Sequence, residues 1–286
     1  MPRIQVNGTT LHYEEYGSGD HVLISTQNFF FSGCHMELLG KPPYDYHVYL
    51  ITMRGYGESE HVQDPLQRNW VPVWGEDVLA FAKQKGIDRF FYTGISHGCW
   101  AGWYIALHKP EVLRGFAAVN GIIQFTPPNA GKVYPPMQDV DWDRIVGNRE
   151  ALCKMAWNAA YPTKDERRLA RREHCRTEHL AILMGRTKEE LMLRNTSMSC
   201  CDAATEEELF RRLSGIPVPV LILNGIRDHL STPQQALRVA AAIPGAKLVM
   251  FEDFEHASAD ECPEIVAAEC DRFFKDSCRT DGALHR

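Results

Sequence analysis

Phe90-Phe91-Tyr92-Thr93-Gly94-Ile95-Ser96-His97-Gly98-Cys99-Trp100-Ala101-Gly102-Trp103 decides how this chain is read. An apolar run of β-forming residues meets Gly94-x-Ser96-x-Gly98, and Trp100, Trp103, Tyr104, Ile105 and Leu107 follow at helical spacing. The pattern predicts a short buried strand, a tight turn, and a helix that stops at His108-Lys109-Pro110, where proline forbids continuation. A side chain at the apex of so sharp a turn sits on strained backbone. Glycines two residues either side are expected, because a Cβ there would collide with the neighbouring strand and helix. The helix that begins after Ser96 points free N–H groups and its positive dipole end at the serine oxygen, which favours negative charge developing there. Taken alone, Gly-x-Ser-x-Gly also describes a Gly-rich turn with a capping serine. The strand before it and the helix after it set this one apart.

The chain around this stretch has 286 residues, enough for one large α/β domain or for one domain with an insertion. A net charge of −6 gives no reason to expect nucleic acid or an anionic membrane as partner. No run of about 18 apolar residues is present, so no span of a bilayer is expected. Met1-Pro2-Arg3 leads directly into a strand pattern, without a charged-then-apolar leader. Nine cysteines are an odd count without paired CxxC spacing, which predicts reduced thiols and a cytoplasmic protein.

Strand and helix patterns alternate on both sides of the serine. Ile4 to Val6 and Thr9 to Tyr16 flank Asn7-Gly8 and read as a β-hairpin. His21 to Thr26 and Tyr46 to Thr52 are apolar strands, and Trp74 to Lys85 has helical periodicity. Gly115 to Asn120, Val220 to Asn224 and Lys247 to Phe251 are further strands. A helix opens at Ser231-Thr232-Pro233, another runs from Pro263 to Phe274, and the tail from Lys275 reads as frayed. This alternation predicts an α/β fold, a mostly parallel twisted sheet with helices on both faces. Asp141 to Leu213 breaks it with helical patterns alone. The expected organisation is a core of residues 1–124 and 214–286 and an all-helical insertion over 125–213.

A serine hydroxyl is a poor nucleophile at neutral pH and needs a base within hydrogen-bond reach, itself oriented by an acid. In an open parallel sheet those groups belong on loops at the C-terminal strand ends. Asp228 follows the strand at Val220 to Asn224, and His256 follows the strand at Lys247 to Phe251. Both loops qualify, so the expected trio in chain order is Ser96, Asp228, His256. His229 also lies on the acid loop, but it adjoins Asp228 too closely to bridge it to the serine. His97 should point its imidazole away from the serine oxygen and offer its backbone N–H instead.

These residues together resemble a serine-dependent α/β-hydrolase of the type that carries a helical cap. Gly94-Ile95-Ser96-His97-Gly98 resembles its nucleophile elbow, and Arg54-Gly55-Tyr56-Gly57-Glu58-Ser59 resembles its RGxGxS loop. Asn224-Gly225-x-x-Asp228, the His256 context and His108-Lys109-Pro110-Glu111-x-Leu113-Arg114-Gly115 resemble its acid loop, histidine loop and a helix-to-strand connection. The resemblance implies that residues 125–213 form the cap, matching there in position and helical character only. It departs at the oxyanion loop. The family usually has a His-Gly pair after its third strand, whereas this chain has Thr26-Gln27-Asn28-Phe29-Phe30-Phe31-Ser32-Gly33. Gln27-Asn28 take the place of that pair, and Phe29 takes the donor position with one residue of slack. Thr52 stands where the family often has an acid.

The resemblance implies a hydrolase of an ester or lactone in a small-to-medium apolar molecule, with Ser96 as nucleophile, His256 as base and Asp228 as its orienter. Backbone N–H groups of His97 and Phe29 would hold the oxyanion. Asn28, Phe30, Trp142 and Trp157 are the candidates to line the pocket, although aromatic residues at helical spacing also serve as core. No metal or organic cofactor is implied. The expected partner is a small-molecule substrate, with no nucleic acid and no membrane, for a monomer or homodimer. Hydrolysis of a carbon–carbon bond or a peptide uses the same three residues. From a different class, a receptor or scaffold of low turnover would keep the pocket. Arg167, Arg168, Arg171, Arg172 and Arg176 fall within one helical segment and read as a solvated face interleaved with Glu166 and Glu173.

Overall fold

A strand covered on both faces must be apolar at nearly every position, and the strands flanking the serine stretch are of that kind. The computed structural model describes residues 2–27, 36–126, 140–156, 162–193 and 199–284. Within them one sheet contains β1 (Arg3–Val6), β2 (Thr9–Tyr16), β3 (His21–Gln27), β4 (Tyr46–Thr52), β5 (Phe90–Ile95), β6 (Leu113–Val119), β7 (Val220–Gly225) and β8 (Lys247–Phe251). Their order across the sheet is β1-β2-β4-β3-β5-β6-β7-β8. β2 runs antiparallel to both β1 and β4, and every other pairing is parallel. The Asn7-Gly8 turn has both residues at positive φ, 45° and 70°, as the twist of a two-residue hairpin requires.

Successive residues of a strand point to opposite faces, and the core divides accordingly. Ile24, Phe90, Tyr92, Phe116, Val220 and Ile222 pack on one face. Leu23, Phe91, Ala117, Val119, Leu221 and Leu223 pack on the other. The first face is covered by α1 (Val71–Gln84), α2 (Cys99–His108) and α8 (Pro233–Ala242), through residues such as Trp74, Phe81, Trp103 and Val239. The second is covered by α10 (Pro263–Leu284) and a 3-10 turn at Met36–Gly40. α10 runs on to Leu284, beyond the frayed tail expected from Lys275.

Between β6 and β7 lie α3 (Trp142–Ile145), α4 (Arg149–Ala156), α5 (Glu166–Met184), α6 (Lys188–Leu193) and α7 (Glu206–Leu213), with no strand among the described residues there. α7 packs against α8, where Arg238 pairs with Glu206 at 3.0 Å. Thr187 and Glu190 open α6 with reciprocal bonds, Glu190 N–H to Thr187 Oγ1 at 3.2 Å and Thr187 N–H to Glu190 Oε2 at 2.8 Å. The other Glu190 oxygen accepts the Gly57 N–H at 2.8 Å and so ties α6 to the loop after β4.

Arg167 and Arg176 of α5 are exposed, as a solvated face would have them, but Arg168, Arg171 and Arg172 are not part of one. Arg168 is buried, donating through Nε to Glu261 Oε2 at 2.9 Å and through Nη2 to the Asp253 carbonyl at 2.9 Å. Arg172 donates to both oxygens of Glu261, and Arg171 pairs with Glu264 at 3.1 Å. Residues 168, 171 and 172 share one side of the helix. Their partners lie on the segment after β8, on α9 (Ser258–Glu261) and at the start of α10. Spacing along α5 reveals the shared side, but not that acids 85 to 93 residues away would meet it.

The RGxGxS loop is held in a similar way. Arg54 reaches the buried Asp77 of α1 with Nε to Oδ2 at 2.9 Å and Nη2 to Oδ1 at 2.8 Å. Thr52 makes a 3.1 Å hydrogen bond with Nδ1 of His12, which is only 4% exposed. Burial lowers the pKa of His12, outweighing the opposite pull of Glu14 and Glu58. Unfolding therefore takes up a proton once the pH drops below the ordinary histidine value of 6.5. Stability conferred by the neutral imidazole is complete above that pH and is lost as the pH falls toward the lowered folded-state value. Urea unfolding at pH 7.5 and 5.5 should show wild type losing more stability on acidification than His12→Gln, and equal losses would refute this account. Among the described residues no helix is long and apolar enough to cross a membrane.

Candidate active site

β5 ends at Ile95, and the next residue turns the chain sharply. Ser96 has φ of +50°, in the left-handed region that costs an L-residue about 1–2 kcal/mol. A 3-10 turn over Ser96–Gly98 then leads into α2. A Cβ on Gly94 would lie 2.4 Å from the Gly98 carbonyl carbon and oxygen, and one on Gly98 would lie 2.7 Å from the Thr26 carbonyl of β3. No backbone atom can give way that far, so both glycines are obligatory. The Gly98 carbonyl accepts from Thr26 Oγ1 at 2.9 Å and from the Tyr92 hydroxyl at 2.8 Å. The Cys99 thiol lies 3.0 Å from the Gly94 carbonyl. These contacts hold the strain at Ser96 in place.

Two loops converge on the turn. His256, on the loop after β8, places Nε2 2.7 Å from Ser96 Oγ. Its Nδ1 lies 2.9 Å from Asp228 Oδ2 and 3.1 Å from Oδ1. An ionised carboxylate can only accept, so Nδ1 carries the proton and Nε2 presents its lone pair to the serine. The Asp228 side chain is fully buried, and that of His256 is 17% exposed. Asp228 Oδ1 also accepts the N–H groups of Leu230 at 2.9 Å and Ser231 at 2.8 Å. Burial alone would raise the pKa of this carboxyl. Hydrogen bonding and charge from His256, with help from Asn120 and the Ser231 N–H, prevail and hold it below the ordinary carboxylate value.

The acid and histidine loops are also joined through backbone. Ile226 N–H donates to the Phe251 carbonyl at 2.8 Å, and Arg227 N–H donates to the Phe254 carbonyl at 3.0 Å. A Cβ on Gly225 would come within 2.2 Å of the Phe254 carbonyl oxygen, so only glycine permits this approach.

The remaining sequence candidates are placed as follows. His97, the residue after Ser96, is buried, with its ring 5.0 Å from that of Trp74 and 6.2 Å from that of Tyr56, both edge-on. Trp142 begins α3 and is buried within the main apolar core. His229 is exposed. Asn28, Phe29, Phe30 and Trp157 lie outside the described residues.

One residue of this site went unread in the sequence. Asn120 directly follows β6, the strand between those carrying Ser96 and Asp228 in the sheet order. It is fully buried, has φ of +47°, and its Nδ2 donates to Asp228 Oδ2 at 3.0 Å. The available signal was its position, a polar residue closing an apolar strand at the same sheet edge as Ser96.

A sequence profile of the α/β hydrolase fold matches residues 28–263. The chain belongs to the α/β-hydrolase fold family. Among relatives of this α/β-hydrolase is RutD of Klebsiella pneumoniae, a carbamate hydrolase by name. It is 31% identical over 190 residues, and the match spans 63% of this chain and 64% of RutD. The chain thus aligns with just under two thirds of that relative's length. Among solved structures, the enol-lactonase from Burkholderia xenovorans LB400 superposes with a TM-score of 0.73 at 22% identity, covering 96% of this chain and 100% of that one. The esterase RhEst1 from Rhodococcus sp. ECU1013 gives a TM-score of 0.71 at 19% identity, covering 96% and 97%. At such identities the α/β-hydrolase fold is what these structures share with this chain.

Proposed function

We propose that this α/β-hydrolase cleaves an ester or lactone in a small-to-medium apolar molecule, through an acyl-enzyme on Ser96. The observation that carries the proposal is the 2.7 Å approach of His256 Nε2 to Ser96 Oγ, with Nδ1 of the same ring on Asp228. Ser96 Oγ attacks the substrate carbonyl as His256 takes its proton. The tetrahedral oxyanion collapses, expelling the alcohol oxygen, which receives that proton from His256. Water, deprotonated by the same imidazole, then attacks the ester on Ser96, and the acid leaves as the serine is reprotonated. Asp228 fixes the ring and stabilises the imidazolium formed in each half. The oxyanion donors in this reading are the backbone N–H groups of His97 and Phe29, the first of them on the turn at the head of α2.

Support also comes from what the relatives are called. A carbamate hydrolase, an enol-lactonase and an esterase are each named for a bond between an acyl carbon and a heteroatom. A fluorophosphonate should label the wild-type protein at Ser96, located by peptide mass spectrometry. A panel of aryl esters, lactones, carbamates and peptide amides should show turnover of esters or lactones ahead of the others. Absence of labelling would leave a binding scaffold as the better description. Labelling with turnover of amides alone would move the assignment to a peptidase.

A further inference from the structure

We propose that Asn120 is a positioning residue for the acid–base pair, orienting the Asp228 carboxylate and joining the acid and histidine loops at one point. The inference rests on the reading that Ser96, His256 and Asp228 act as a unit.

The side-chain amide of Asn120 faces three partners. Nδ2 donates to Asp228 Oδ2 at 3.0 Å and to the Glu255 carbonyl, adjacent to His256, at 3.3 Å. Oδ1 accepts from the hydroxyl of Ser258, two residues beyond the histidine. On its backbone, the Asn120 carbonyl accepts from Ser231 Oγ at 3.0 Å, and its N–H donates to the Leu223 carbonyl of β7 at 2.8 Å. One residue therefore binds the acid, both sides of the histidine and the loop after the acid.

The chemistry requires an amide. Toward the two oxygens the group must donate, and toward the hydroxyl it must accept. A carboxylate of the same shape would place charge against Asp228, and a leucine would leave Asp228 Oδ2 and the Ser258 hydroxyl short of partners in a buried site. The Asp228 carboxylate and the Glu255 carbonyl, which can only accept, select the orientation of the amide, because a flip would turn Oδ1 onto both. A non-glycine residue at positive φ is itself costly, and asparagine is among the side chains that tolerate it. The other Asp228 oxygen is fixed by two backbone N–H groups, so Asn120 completes the restraint and leaves the remaining acceptor capacity to His256 Nδ1.

The test uses the full-length protein with p-nitrophenyl acetate and a fluorophosphonate. Asn120→Ala should lower kcat about 100-fold, with KM within about twofold, because a small misplacement of the base costs rate and not binding. Labelling of Ser96 should slow in parallel, with native circular dichroism retained. Should that variant fail to fold, Ser258→Ala leaves Asn120 in place but removes the hydroxyl that restrains its Oδ1, and the looser amide should slow labelling about tenfold. Asn120→Asp gives a signature that altered packing does not. The introduced carboxyl faces Asp228, the Glu255 carbonyl and the Ser258 hydroxyl, with the His256 imidazole beyond Asp228. Two carboxyls so close retain one proton between them, which preserves a donor toward Asp228. As the pH rises and that proton leaves, repulsion displaces Asp228, and the variant should lose activity on an alkaline limb that wild type lacks. A labelled wild type with variants of unchanged kcat and unchanged pH profile would overturn this inference alone. A wild type that the probe does not label would overturn both it and the proposed function.

Discussion

Ser96→Ala is expected to fold as wild type does and to lose ester hydrolysis by about ten-thousand-fold or more. The loss follows from removing the one oxygen that His256 Nε2 meets at 2.7 Å. Folding should survive because alanine keeps the Cβ and faces the same left-handed backbone cost that serine already bears at φ of +50°. The two effects separate in a companion variant. Ser96→Gly removes the oxygen and also relieves the backbone, so it should be equally inactive yet more stable than Ser96→Ala by about 1 kcal/mol. Turnover of a p-nitrophenyl ester and thermal melts of the three proteins check both points. Residual turnover within tenfold of wild type in Ser96→Ala would remove the serine from the chemistry.

The second large effect is on stability. Arg168→Ala should cost about 3 kcal/mol, because a buried ion pair that loses one partner is strongly destabilised, and Glu261 keeps only the partly buried Arg172. The side chain is 6% exposed and that of Glu261 only 1%, so water does little to replace the guanidinium. The arginine also lies 4.1 Å above the centre of the Phe254 ring, a contact that the substitution removes as well. Arg168→Lys should recover little. One ammonium cannot serve Glu261, the Asp253 carboxylate and the Asp253 carbonyl in the planar fan that a guanidinium provides. Urea unfolding at low and at high salt provides the measurement. A loss near 3 kcal/mol that persists in high salt fits a pair shielded from the solvent. A loss under about 0.5 kcal/mol would return α5 to the solvated face read from its charge pattern.

The parts of the fold legible in the sequence are those fixed by neighbours in the chain. Phe90 to Ile95 is apolar on both faces because helices cover both, and that shows without coordinates. Gly94 and Gly98 are legible because the collisions they avoid belong to the turn itself and to the adjacent strand. The RGxGxS, acid and histidine loops were found by the order of their motifs along the chain. Asn120 and Arg168 were not found, since neither carries a local pattern. The partners of Asn120 lie 108 and 135 residues away, and those of Arg168 lie 85 and 93 residues away. A single polar residue ending a strand, or one arginine among several on a helix, acquires meaning only when distant loops arrive beside it. The end of α10 was missed for a related reason. The polar residues after Phe274 suit a surface helix as well as a loose tail, and composition does not separate the two.

The parallel pairing of β6 with β7 sets an unequal division of labour within the polypeptide that joins them. Leaving β6 at the edge that holds Ser96, the chain must travel back the full length of a strand before β7 can begin, with Phe116 opposite Val220. Such a return takes a dozen or more residues and is usually helical. α7, packed against α8, is the last helix of the segment that makes that return. The residues before α7 carry no such obligation to the sheet. Under the proposed function, positions there outside the Arg168 and Glu190 contacts are where a change of substrate can arise while the strand register stays the same.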